Sequence, residues 1–105
     1  MRPSPPHAPD VVFETARGRV LRCACCGALE VRFGNALLAL HATEFAEVLA
    51  SVAAYDAPPD DGVPPDRPCV LYLGNSGCGW TFTPDEAAEL HRLLAGSRLL
   101  LAARV

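Results

Sequence analysis

The sequence predicts an α+β fold: a two-layer sandwich in which an antiparallel sheet of about five strands carries two helices on one face. Three observations predict it. Ala28-Leu29-Glu30-Val31-Arg32-Phe33 alternates apolar and charged residues, the period of a strand with one wet side. Phe45, Val48, Leu49 and Val52, and later Ala87, Leu90, Leu93 and Leu94, fall at helical spacing behind N-terminal signals. The order strand, strand, helix then recurs. Phe33-Gly34-Asn35 aligns with Leu73-Gly74-Asn75, and the run from Leu40 to Val48 aligns with Phe82 to Leu90, so the chain reads as two strand–strand–helix units.

Taken in order, residues 1–10 hold four prolines and little to bury, which predicts a disordered arm ahead of a single domain over 11–105. Val11 to Thr15 and Arg19 to Cys23 flank Ala-Arg-Gly, a hairpin turning at Gly18. After the strand at 28–33, Gly34-Asn35 suits a type II′ turn into a strand over Ala36 to Leu40. Thr43 is the expected N-cap of a helix from about Glu44 to Ala54. The stretch 56–68 carries five prolines and reads as a loop, since proline has no backbone donor for a ladder. Cys69 to Gly74 and Trp80 to Phe82 are strands around the turn 75–79. Pro84 fits the first turn of a second helix, with Gly96 as its left-handed stop. Leu99 to Val105 is compatible with a strand or with more helix.

A net charge of −3 and scattered arginines argue against a phosphate-binding footprint, so nucleic acid is not an expected partner. All nine basic residues are arginine. The opening MRPSPPHAPD lacks the apolar run of a signal peptide or anchor, and no later stretch reaches a membrane span. Five cysteines without an export signal point to a reducing, cytoplasmic setting in which disulfides are disfavoured.

The chemistry-bearing stretch is Leu21-Arg22-Cys23-Ala24-Cys25-Cys26-Gly27. It places a C-x-x-C-G pattern between two strands, as in the knuckles of zinc ribbons, where two thiolates converge on one metal and the glycine permits the turn. Cys23 and Cys26 have the spacing, and Cys25 is a bystander or substitute. This is half of a tetrahedral site. Cys69 and Cys78, His41 or His91, or the same pair from a second chain on a twofold axis are the sources for the other half. The competing readings are buried structural thiols and a redox dithiol. A redox C-x-x-C normally opens a helix, whereas this one precedes a strand.

Glu44, Glu47, Asp85, Glu86 and Glu89 gather at helix starts and read as solvated helix faces that favour the macrodipole. Gly74 to Gly79 leads into a strand, not a helix N-terminus, and so lacks a phosphate cradle. No serine, histidine and acid are bound together by a motif, and no catalytic residue is assigned. Trp80, Phe82, Tyr72, Phe33 and Phe45 read as core residues beneath the helices, while the open edges of a small sheet offer a place for another chain to add a strand.

The run from Leu21 to Leu49 resembles an uncharacterised bacterial family of small soluble domains. The likeness rests on Cys23 and Cys26, the strand ending in Phe33-Gly34-Asn35, the strand Leu37 to Leu40 and the acidic helix at Glu44-Phe45. It implies a small intracellular domain, with no reaction attached. The expectation is therefore a non-enzymatic binding or adaptor domain with a structural zinc at the C-x-x-C-G turn. Its partner would be a protein or a second copy, with neither nucleic acid nor membrane involved. The alternative is a thiol-dependent redox or metal-handling protein.

Overall fold

The computed structural model describes residues 10–24, 26–56, 69–72 and 79–103. Four strands, β1 (Asp10–Glu14), β2 (Gly18–Arg22), β3 (Leu29–Phe33) and β4 (Ala36–Leu40), form an antiparallel meander in sequence order. Helix α1 (Ala42–Asp56) follows, then the hairpin of β5 (Cys69–Tyr72) and β6 (Gly79–Phe82), then helix α2 (Pro84–Ala103). Residues 1–9, 57–68 and 73–78, most of the expected arm at 1–10, loop at 56–68 and turn at 75–79, lie outside the described residues, as do Cys25 and Cys78; Asp10 opens β1, Asp56 closes α1 and Gly79 opens β6.

The α+β class and the antiparallel pairing are as the sequence predicts, but the expected single sheet of about five strands is not formed: the described strands make two sheets, one of four and one of two. The Tyr55 hydroxyl of α1 donates to the Val70 carbonyl of β5 at 2.6 Å, which ties the hairpin to the helix.

The alternation of β3 decides which face of the large sheet is dry. Leu29, Val31 and Phe33 are buried, with Val31 in register with Val20 of β2 and Leu29 with Leu40 of β4. Both helices cover this face: Phe45, Val48, Leu49 and Val52 of α1 and Leu90, Leu93 and Leu94 of α2 join the same apolar cluster, with Leu71 and Phe82 from the hairpin. Trp80 packs edge-on against both Phe33 and Phe82, at centroid distances of 5.9 and 5.3 Å. Tyr72 departs from the expected aromatic core, because alternation along β5 turns it outward and leaves it 77% exposed.

The helix starts differ in their caps. Thr83 and Glu86 close a reciprocal capping box, with the Glu86 N–H donating to Thr83 Oγ1 at 3.2 Å and the Thr83 N–H to Glu86 Oε1 at 2.8 Å. In α1 the N-cap is His41 and not the expected Thr43. The Glu44 carboxylate accepts the His41 N–H at 3.0 Å, so the box closes from one side only and the helix starts earlier.

Two glycines expected to serve turns serve packing instead. Gly18 lies in β2, paired with Phe33, and the turn is Ala16-Arg17, closed by the Thr15 N–H on the Gly18 carbonyl at 2.8 Å. A Cβ at Gly18 would sit 2.8 Å from the Arg32 carbonyl oxygen and 2.9 Å from Leu93. Gly96 does not end α2, which runs on to Ala103. A Cβ there would meet the Phe13 ring at 2.6 Å. A bulge between Val11 and Phe13 turns both Val12 and Phe13 toward the core, and this brings the ring over the helix. Gly34, by contrast, carries φ +58° with no positive φ at Asn35, as a type II′ hairpin requires.

Candidate binding groove and cysteine turn

Among the described residues, no strand pairs with the outer edge of β4. A two-residue hairpin closes on a hydrogen-bonded pair, here Phe33 and Ala36, so Val31 with Leu38 and Leu29 with Leu40 are bonded in turn. The N–H and C=O groups of Leu37 and Ala39 therefore point away from β3. Among the described residues, no turn, loop or cap backbone bond takes them up.

Beside this edge lies a groove of about 360 Å³ between β4 and β5. Its walls are Leu37 to Leu40 on one side and Leu71 with Tyr72 on the other. Its floor is one stripe of α1, comprising Glu44, Glu47, Val48 and Ser51. Leu37 is 56% exposed. Large apolar side chains at the rim of a groove, next to unpaired strand groups, mark a surface suited to another chain.

The cysteine turn has the predicted backbone. The Cys23 N–H donates to the Ala28 carbonyl at 2.9 Å, and the Gly27 N–H donates back to the Cys23 carbonyl at 3.0 Å. Gly27 adopts φ +73°, the left-handed conformation that glycine takes without the clash of a side chain. Cys23 is half-buried and Cys26 exposed. Among the described residues no three His, Cys, Asp or Glu side chains gather for a metal. His41 caps α1, and His91 lines a groove between α1 and α2 on the helical layer. Of Cys69 only the backbone position in β5 is described, paired with Phe82.

Sequence reasoning placed Glu89 on a solvated helix face; the structure buries it. Its Oε1 accepts Arg17 Nε at 2.8 Å, and its Oε2 accepts the Arg17 backbone N–H and the Thr15 hydroxyl, each at 3.0 Å. Burial alone pushes this carboxyl up. The hydrogen bonds from Arg17 and Thr15 and the guanidinium charge outweigh it, holding the carboxyl below the ordinary glutamate range. The Arg17 carbonyl also accepts the Gly34 N–H at 2.9 Å, and its guanidinium lies 6.0 Å from the Phe33 ring centroid. One arginine thus ties the β1–β2 turn, the β3–β4 turn and α2 together. The available signal was the position of Glu89 next to Leu90 and one turn before Leu93, inside the apolar stripe.

No known protein family, curated protein or solved structure matches this chain. The site rests on its own geometry. No described helix is long and apolar enough to cross a membrane.

Proposed function

We propose that this chain is a non-enzymatic binding or adaptor domain that takes an extended segment of a protein partner as an added strand on β4. The observation that carries the proposal is the outward-facing edge of Leu37 and Ala39 beside the groove. Strand addition uses such groups: main-chain hydrogen bonds hold the guest while pockets beneath alternate side chains select it. Self-association through the same edge is the homologous case, with a second β4 as the guest.

Leu37→Pro tests it. The Leu37 N–H points out of the sheet, so proline there removes a donor from the edge and none from the β3–β4 ladder. Screened against short extended peptides, the variant should bind roughly tenfold more weakly for the lost hydrogen bond and the ring at the edge, with its thermal melt little changed. Unaltered binding by a folded Leu37→Pro variant would remove β4 as the site.

A second reading attaches to the cysteine turn. Cys23 and Cys26 bind zinc, and Cys69, Cys78 or a second chain supplies the remaining ligands in a reducing compartment. The left-handed Gly27 and its bond to the Cys23 carbonyl support it, since a C-x-x-C-G knuckle needs that backbone.

A further inference from the structure

The groove's chemistry limits what strand it would take. Alternation along β4 sends the Leu38 and Leu40 side chains inward and those of Leu37 and Ala39 outward, as their burial shows. A strand added to this edge repeats that alternation, with every second side chain directed down onto α1. Those inward positions do not meet a uniform floor. Helix α1 starts two residues after Leu40, so Glu44 in its first turn lies nearest the Leu40 end, and Glu47, Val48 and Ser51 follow in order along the same helix stripe. Among the described residues, no arginine or histidine lines the groove.

Resting on the groove as the binding site, we infer that its occupant is a cationic, apolar extended segment of a partner protein, with lysine or arginine and an aliphatic residue two positions apart on its inward face. The aliphatic side chain sits opposite Leu38, over Val48 and against Leu71. The basic side chain sits opposite Leu40, laying its methylene stem along that leucine and its charged head between Glu44 and Glu47. An acidic residue at the same position would meet two like charges, and so would be rejected more strongly than a neutral one. A second β4 fits this description poorly, because Ala36-Leu37-Leu38-Ala39-Leu40 carries no base.

The test is a positional library of extended peptides, with the two inward positions varied independently and the outward positions held as threonine. Binding is read by fluorescence polarisation on the whole chain. The expected result is enrichment of Lys or Arg at one inward position and Val, Ile or Leu at the other. Glutamate in place of the base should weaken binding about fivefold or more, the scale of a partly screened ion pair. Glu47→Lys should reverse the preference at the basic position and leave the aliphatic one unchanged. Glu47 is the residue to change because Glu44 also accepts the His41 N–H at the helix start. Peptides that bind with no charge preference, or a preference that Glu47→Lys does not alter, overturn the inference and leave the groove standing. If no peptide of any composition binds, the groove itself is refuted as the site.

Discussion

Gly96→Ala sets two effects of opposite sign against each other. In a solvated helix interior, replacing glycine with alanine stabilises by about 1 kcal/mol. Gly96 lies within α2, seven residues from its end, so that gain applies. Against it stands the Phe13 ring: the new Cβ would lie 2.6, 2.9 and 3.0 Å from three ring carbons. Carbon atoms prefer about 3.5–4.0 Å, so either the ring or the helix must move. Overpacking of this kind costs about 1–3 kcal/mol, so the net change should be a loss of about 1 kcal/mol. Urea denaturation of four chains separates the effects: the natural sequence, Gly96→Ala, Phe13→Val and the double variant. Valine removes all three ring atoms, so in that background Gly96→Ala should stabilise by its full helix gain of about 1 kcal/mol. The coupling between the two sites is then about 2 kcal/mol. A Gly96→Ala chain more stable than the natural one, with no coupling to residue 13, would refute the packing of Phe13 over α2.

Glu89 gives a pH prediction whose sign follows from its surroundings. Its folded carboxyl titrates below the ordinary value of 4.5, so its contribution is complete above that value and is lost as pH falls through the lower folded value. Between pH 5 and pH 3 the natural chain should lose more thermal stability than Glu89→Gln; equal losses would show that the Arg17 contact does not bias this titration. For the cysteine turn, elemental analysis of freshly reduced protein should find one zinc per chain if ligands come from within, or half if two chains share the ion. A chelator should then lower the melting temperature sharply, as loss of a structural metal does in so small a domain. Protein free of zinc, with a melt that chelation does not move, would assign the thiols to packing alone.

The elements that local chemistry determines were legible in advance. Alternation in β3 identified its dry face, Gly34 announced its turn, and Thr83-Pro84-Asp85-Glu86 carried a complete helix start. What sequence reading missed depends on distant partners. Gly18 and Gly96 looked like conformational glycines, yet what requires them is close neighbours on other elements: the Arg32 carbonyl, Phe33 and Leu93 at Gly18, and the Phe13 ring at Gly96. Glu89 looked solvated because its partners, Thr15 and Arg17, lie more than seventy residues earlier. His41 escaped notice as an N-cap because it has no side-chain oxygen, and the contact comes from Glu44 instead. At the thiol turn the sequence pattern pointed to a glycine turn at Gly27, which adopts φ +73°; whether other groups meet Cys23 and Cys26 depends on distant loops that no local pattern encodes. For the groove, Ala36-Leu37-Leu38-Ala39-Leu40 offered a partial signal: an unbroken apolar run on an edge strand must show leucine to solvent on one face. That the run borders an acidic floor became visible only once α1 and β5 were placed around it.

Amide hydrogen exchange at β4 tests the central claim most directly. In the unbound chain the Leu38 N–H, bonded to β3, should exchange slowly, while those of Leu37 and Ala39 exchange rapidly. With a basic-aliphatic peptide at saturation, the account predicts strong protection at Leu37 or Ala39, because the guest strand takes up their N–H groups. Protection confined to other parts of the molecule, such as the outer face of α1 and α2, with Leu37 and Ala39 exchanging at their unbound rates, would contradict it.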